Sequence, residues 1–414
     1  MKTKYIFFSI ILFNLSLLSQ SGWQVLSTFT SNDLSHVCFV NQNTGIITAY
    51  SPNIYRTSNG GLNWIQYVHT NPNVWFWGIH FANESTGWVI GYNLNSPYNN
   101  VILSTTNSGI NWAEQYSGTG QMREIYFINS QTGFVSGDSF YKTTNAGNNW
   151  ILSNPQGYGS GLGIFFWDQL TGWVGGNSNN NNSVIKTTNG GINWATQFSD
   201  ISAIYSIKFT SLMTGYCAGL NGIRKTTNNG TNWTLCYSCN HAISLSFPSV
   251  ETGWAVIHNS NPNSRKIIKT TDSGISWQLQ DINDSRLLNY IYMLNVNTGW
   301  VVGDEGVIYK TTNGGVTGIQ LVNSEIPSVF SLSQNYPNPF NPVTKIRFDI
   351  HSAGNVIFAI YDILGKEIQS INENSLSPGT YEYNFDGSNC PSGIYFYRLS
   401  CGSFSETRKM VLIK

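Results

Sequence analysis

The residue types that could do chemistry are few and scattered. The histidines are His36, His69, His80, His241, His258 and His351, and no two stand at a metal-ligand spacing such as HxxxH or HExxH. Packing or hydrogen bonding is their expected role. Cleavage of a glycosidic bond needs paired carboxylates; Glu124, Asp138, Asp168 and Asp304 are available, yet nothing in the sequence brings two together. Cys236 and Cys239 form a CxxC, without the strand-to-helix start or second ligand pair that redox or metal chemistry requires. They are expected to stay unpaired or to close a small local loop. Cys390 and Cys401 flank the strand-like run GIYFYRLS, and at ~3.3 Å per residue they stand too far apart to bridge. No GxSxG, phosphate loop or dinucleotide fingerprint occurs in a suitable context, and GYGSGLG (157–163) reads as a turn run with no helix after it. The sequence therefore assigns no catalytic residue, no metal and no cofactor.

What the sequence does contain is repetition. The phrase KTTNGGINW (186–194) recurs as RTSNGGLNW, STTNSGINW, KTTNAGNNW, RKTTNNGTNW, KTTDSGISW and KTTNGGVTG. From Thr57 to Thr311 six steps cover 254 residues, about 42 each, a period that suits a propeller blade of four short strands. A second phrase keeps the same step. Phe39, Phe81, Phe127, Phe166, Phe209, Phe247 and Met293 are each followed five residues later by Thr-Gly, usually with another aromatic after it. Two positions before each marker stands Val37, Ile79, Ile125, Ile164, Ile207, Leu245 or Ile291, the alternation of an innermost strand with one buried face. No helical periodicity of useful length appears.

Each repeated phrase reads as a hairpin between third and fourth strands. Asn189, or Asp272 in the sixth copy, can accept hydrogen bonds from its own turn, and Gly191 can take φ > 0 without strain. The Trp that follows can wedge between sheets: Trp64, Trp112, Trp150, Trp194, Trp233 and Trp277. The seventh copy has Gly318 in that place, while Trp23 has no such phrase before it. Trp23 lies 16 residues before Phe39, inside the 14–17 spread of the complete copies. Residues 22–28 are thus expected to supply the fourth strand of the last blade, pairing near Gly306–Thr312, with GIQLV (318–322) as the competing segment.

Function is expected where the inner strands begin, since loops at one end of a propeller converge on the central channel. Counting back from each marker places Trp77, Arg123, Glu124, Tyr205, Asn289 and Tyr290 there, a mixed aromatic and polar mouth suited to a peptide or glycan. The same count adds Ser35, His36, Gly78, Leu162, Gly163, Ser206, Ile243 and Ser244. The side chains could equally plug the channel. Of the propeller arginines, Arg56 and Arg224 fall on third strands, outside the mouth, and only Arg123 and Arg286 lie near inner-strand starts.

The pattern [ST]-x-[DN]-x-G-x-x-W resembles the Asp-box, or bacterial neuraminidase repeat, and its coupling to TG[WFY]-x-x-G looks most like the photosystem II assembly factor group. The resemblance covers about 22–318. It implies a seven-bladed β-propeller with the box at the periphery, and it is silent on function because the same box serves enzymes and non-enzymes. Sialidase-like chemistry within that wider family would need three arginines on a substrate carboxylate, a Tyr/Glu pair and an acid, and no FRIP-like phrase appears.

After residues 319–327, expected as a linker, the wording changes. QNYPNPFNPVTKIRF, IYDILGKEI, PGTYEYNFDG, PSGIYFYRL and RKMVLIK, within 328–414, resemble the type IX secretion C-terminal sorting domain. That resemblance implies an immunoglobulin-like β-sandwich handled by the outer-membrane translocon. At the other end, Lys2 and Lys4 precede an apolar run to Leu18 and then Ser19, Gln20 and Ser21, the pattern of a signal peptide over 1–21. The run is shorter than the ~20 residues of a membrane span.

Bulk composition agrees. With 41% hydrophobic and 14% aromatic residues the chain can bury a core, and only 10% is charged, against about 25% in an ordinary soluble domain. Because 21 basic residues balance 21 acidic ones, no nucleic acid or anionic membrane partner is indicated. The expectation is a secreted or cell-surface protein, reached via the periplasm, that is all-β: a propeller that binds an extracellular protein or glycan, without catalysis, and a sorting domain. A secreted glycan-active hydrolase is the alternative.

Overall fold

The computed structural model describes residues 22–94, 99–153, 160–177, 184–198, 203–258, 265–280, 282, 284–315, 319–387 and 390–414. The expected leader over 1–21 lies outside them. The chain divides into two compact units, one spanning Ser21–Val316 and the other including Thr317–Lys414.

The larger unit holds seven four-stranded antiparallel sheets. Blade one consists of Leu34–Phe39, Gly45–Ala49, Asn53–Thr57 and Ile65–Val68, and its strands lie side by side in chain order. The first strands of the other blades are Val74–Phe81, Met122–Phe127, Ser160–Phe166, Ile204–Phe209, His241–Ser246 and Leu288–Met293. Each packs against the first strand of the next blade, and the seventh packs against the first. That ring of contacts makes them innermost and defines a seven-bladed propeller. The run 157–163, read from sequence as a turn, contains the start of Ser160–Phe166 in its described part. Its glycines lack the side chains on which strand patterning is judged, so the strand was invisible there.

The repeated turn is held by one buried hydroxyl. Thr187, 1% exposed, lies 3.0 Å from Asn189 Oδ1 and accepts the Gly191 N–H at 2.9 Å. Asn189 Oδ1 also accepts the Asn193 N–H at 2.9 Å. The Thr-to-Gly bond recurs in all seven copies at 2.7–3.0 Å. Both residues after the Asn or Asp take positive φ, as at Gly190 (70°) and Gly191 (90°). The first of the two is Ser108, Ala146, Asn229 or Ser273 in other copies, while the second is always Gly. A Cβ on Gly191 would come within 2.9 Å of the Phe140 ring, so the neighbouring blade, as well as the backbone, excludes a side chain there.

The blades meet through rings. Trp300 lies on Phe39, Trp88 on Phe127, Phe134 on Phe166, Trp173 on Phe209 and Tyr216 on Phe247, with centroids 3.4–4.1 Å apart. Ile46 with Phe81 and Trp254 with Met293 fill the two remaining boundaries. In each pair a second-strand side chain covers the marker residue of the next blade. The Gly of the Thr-Gly phrase lies under that marker: a Cβ on Gly172 would stand 2.5 Å from the Phe166 ring. The blade's own turn Trp meets the marker edge-on, as Trp194 does Phe166 at 6.2 Å and 87°. Such aromatic pairs contribute about 0.5–1.5 kcal/mol each beyond buried area.

The turn is also gripped from the preceding blade. Trp300 Nε1 donates to the Gly60 carbonyl at 3.2 Å and Lys310 Nζ donates to the same oxygen at 3.1 Å. Trp88 with Ala146, Trp254 with Gly314, and Tyr216 and Lys225 with Ser273 repeat the arrangement.

The fourth strand of blade seven is Gly22–Val25, which pairs antiparallel with Ile308–Gly315, Gln24 opposite Lys310 and Val25 opposite Tyr309. Trp23, 2% exposed, packs with Trp254 and Met293, the position that a turn Trp occupies in the other blades. The segment Ile319–Asn323 pairs instead with Gly379–Asp386 in the smaller unit.

That smaller unit is a sandwich of two four-stranded antiparallel sheets. One runs Ile319–Asn323, Gly379–Asp386, Val343–Ile350, Ser331–Leu332; the other runs Glu367–Leu376, Gly354–Tyr361, Gly393–Cys401, Phe404–Leu412. Burial alternates strictly along Val343–Ile350, the mark of a sheet with one face on a core, and Phe348, Phe358, Tyr383 and Tyr397 from both sheets share it. Residues 319–327, expected as a linker, thus contribute an edge strand over Ile319–Asn323. The five residues IQLVN are too short a pattern to separate a strand from a tether. All six cysteines are free thiols.

Two changes test this reading. Thr187→Val removes the hydroxyl and leaves the Gly191 N–H unpartnered, so the urea midpoint should fall by the equivalent of about 1–3 kcal/mol, while Thr187→Ser retains most of the stability. Trp23→Ala should lower propeller stability by about 3–5 kcal/mol; thermal unfolding of the full chain measures it, and a loss no larger than that of an exposed substitution would refute the closing role of Gly22–Val25.

Candidate functional site

The seven inner strands share an irregularity. Each slips register against its second strand at one point: between Leu34 and His36, Phe76 and Gly78, Met122 and Glu124, Gly161 and Gly163, Ile204 and Ser206, Ala242 and Ser244, and Leu288 and Tyr290. A residue skipped by the ladder is a β-bulge, which re-aims its side chain. The skipped residues are Ser35, Trp77, Arg123, Leu162, Tyr205, Ile243 and Asn289, and all seven line one cavity of about 260 Å³ at the mouth of the channel. Glu124 and Tyr290, each one residue further on, line it too, as do His36 and Lys208. The structure therefore brings Trp77, Arg123, Glu124, Tyr205, Asn289 and Tyr290 around a single space. Gly78 and Ser244, from the same count, are not in its lining. The Ser244 hydroxyl accepts the Ile291 N–H at 3.2 Å.

One wall is aromatic. Trp77 and Tyr50 stand 4.9 Å apart and Trp77 and Tyr92 6.3 Å apart. The Arg123 guanidinium carbon sits 5.2 Å from the Trp77 ring centre, a cation–π contact, and a terminal nitrogen of Arg123 donates to Gln121 Oε1. Its Nε is buried without a partner. Opposite, Asn289 Nδ2 donates to the Leu34 carbonyl at 2.9 Å and to Asp304 Oδ1 at 2.8 Å, tying blade seven to blade one at the rim.

The floor carries charge. Glu124 Oε2 lies 3.5 Å from His36 Nε2, the His36 ring lies 4.1 Å from Tyr290, and His36 Nδ1 is buried without a partner. Burial pulls the Lys208 amine below the usual lysine range, against the opposing pull of Glu124. Burial, then the Glu124 charge, pushes the Tyr290 phenol well up. Burial also raises Tyr205.

The other sequence candidates lie apart from this cavity. Asp168 accepts the Leu170 and Thr171 N–H groups in the turn after the inner strand of blade four. Asp138 accepts the Gln121 N–H. Arg56 donates to the Ser108 carbonyl of the next blade, Arg224 lies on the third strand Gly222–Thr226, and Arg286 is held by Asp284 at 2.6 Å. His241 and His258 face each other with ring centres 5.5 Å apart, and His80 Nδ1 accepts the Phe127 N–H at 3.2 Å. Among the described residues no three His, Cys, Asp or Glu gather in a way that could hold a metal ion. The cavity residues that the count overlooked are Ile164, Ile207, Tyr50, just after the second strand Gly45–Ala49, and Lys208, three residues beyond Tyr205.

Residues 334–414 match the family model described as Secretion system C-terminal sorting domain. Among solved structures the propeller is similar to "YCF48 bound to D1 peptide", at 16% identity and a TM-score of 0.57 over 70% of this chain and 97% of that one. It is similar to YCF48 from Cyanidioschyzon merolae, at 18% identity and a TM-score of 0.55 over 70% of this chain and 98% of that one. A GH74 xyloglucanase from Xanthomonas campestris shares 10% identity with a TM-score of 0.58, over 79% of this chain and 59% of that chain. At these identities the likeness establishes the fold alone. A comparison with curated proteins gives no match. The sorting domain means that the type IX secretion machinery handles the chain and exports it to the cell surface or beyond.

The buried pair at the floor generates a prediction. Replacing Glu124 with Gln removes the charge that favours protonated Lys208, so in Glu124→Gln the amine should titrate at a lower pH than in the native chain. Heteronuclear NMR titration of the lysine side chains measures this; an unchanged midpoint would show that the two groups are not coupled.

Proposed function

We propose that the propeller is a non-catalytic binding module, delivered outside the cell by its sorting domain, that takes an extended segment of a protein or glycan into the channel mouth. The observation that carries this reading is the ring of seven bulges. A repeated blade offers seven equivalent positions, and they hold Ser35, Trp77, Arg123, Leu162, Tyr205, Ile243 and Asn289, seven different residue types. Aromatic faces, a guanidinium and an amide around one concavity are the ingredients of recognition. The propeller described as "YCF48 bound to D1 peptide" is an instance of this fold with a peptide bound. Hydrolysis of a glycan is the weaker reading. It needs two carboxylates about 5–10 Å apart, and among the described residues Glu124, engaged with His36, is the one carboxylate in the lining.

A glycan array and a pull-down from cell-surface extract, each run with the native chain and with the Trp77→Ala/Arg123→Ala double variant, test the proposal. Ligands retained by the native chain should bind the variant at least about tenfold more weakly, as expected when central aromatic and arginine contacts are removed. Equal retention by a variant with native circular dichroism and melting would discard the site.

A further inference from the structure

The inner strands have a second end, and a second cavity opens there. It measures about 250 Å³ and takes its walls from Val37, Ile79, Phe81, Leu245, Phe247 and Met293. These residues lie two or more positions beyond the bulges, toward, at or just past the ends of the inner strands of blades one, two, six and seven, so the cavity faces away from the mouth. Glu124, Lys208 and Tyr290 border both spaces, so the two cavities adjoin along the channel.

The polar groups of the second chamber are unusual. Lys208, Tyr126 and Tyr290 line it, and among the described residues none of the three makes a hydrogen bond or an ion pair of its own. Glu124 reaches Lys208 only through its field, since its carboxylate is turned to His36. The remaining polar neighbours are already engaged. His80 Nδ1 takes the Phe127 N–H, Tyr292 Oη donates to the Phe39 carbonyl at 2.8 Å, and Ser246 Oγ accepts the Met293 N–H at 2.9 Å. An ammonium without a contacting counter-charge, among aliphatic and aromatic walls, is costly to hold. The cost falls when an anion takes the place of water on it. Apolar walls with a few convergent donors are the usual build of a small-molecule pocket, and the volume lies just under the ~300 Å³ lower end of such sites. It holds about eight waters at ~30 Å³ each, which is room for a small molecule.

We propose that this second chamber is a binding site for a small organic anion with an apolar body, an aromatic or short-chain aliphatic carboxylate, whose headgroup meets Lys208 and the phenols of Tyr126 and Tyr290 while its body lies against Phe81, Leu245 and Phe247. The site shares Lys208 and Tyr290 with the mouth and differs from it in that Trp77 and Arg123 take no part in it.

Benzoate and hexanoate serve as probes against the full chain, with benzamide and hexanol as uncharged counterparts, read by calorimetry and by ligand-observed NMR. One or both carboxylates should bind, and the uncharged counterpart should bind at least tenfold more weakly. Lys208→Met, which conserves most of the side-chain volume, should lose at least tenfold in affinity. Tyr126→Phe, which retains the ring, should lose a few-fold and guards against a folding defect in the first variant. The Trp77→Ala/Arg123→Ala variant should bind as the native chain does, so failure at the mouth and failure here are separable. The proposal is overturned if neither carboxylate binds, if the uncharged probes bind equally well, if Lys208→Met and Tyr126→Phe both retain native affinity, or if the mouth variant abolishes binding.

Discussion

Each blade boundary of this propeller depends on a flat contact with a glycine beneath it. At five boundaries a second-strand ring lies on the marker ring of the next blade, at the other two Ile46 meets Phe81 and Trp254 meets Met293, and each marker lies on the Thr-Gly backbone of its own blade. Neither surface tolerates an added methyl group. The turn Trp closes the edge, and the turn itself is bonded to the preceding blade through the indole and lysine donors. Three repeated words of the sequence therefore describe one joint. The threonine hydroxyl fixes the turn, the turn presents its carbonyl, and the neighbouring blade takes hold of that carbonyl.

This joint explains where variation is permitted. The repeated residues lie outward along the blades or at the distal ends of the inner strands. The bulged residue stands outside the ladder and outside the joint, so its identity affects neither. Seven unlike side chains occupy seven geometrically equivalent places around the mouth for that reason, and the chemistry of the mouth can differ while the frame stays constant. The same separation explains the centre of the channel, where Lys208 and Glu124 face inward from strands whose other residues are bound into the blade interfaces.

Much of this was legible in the residues. The turn phrase, its period and the markers gave the blade count, because a buried hydroxyl, a forced glycine and a wedged indole each demand one residue type. The mouth was located by counting back from the markers, and its six candidate residues line one cavity. The reason they point there was not legible. A bulge is an offset between two strands, and the alternation within one strand does not record it. Lys208 was missed because it lies one residue before a marker, where the count looked only at strand beginnings. The edge strand Ile319–Asn323 was read as a tether because its partner, Gly379–Asp386, is separated from it by more than fifty residues.

The pairing of Gly22 with Gly315 also sets an order of events. The first strand of the propeller to be made is the last to be satisfied, since its partner arrives only when nearly three hundred further residues have followed. Closing so long a span costs chain entropy that grows slowly with length, and contacts this far apart in sequence are formed late. A chain threaded end-first across a membrane must therefore hold an open arc of blades until Ile308–Gly315 emerges on the same side. The arc becomes a ring, with its central channel, only once Gly22–Val25 and Ile308–Gly315 stand on the same side.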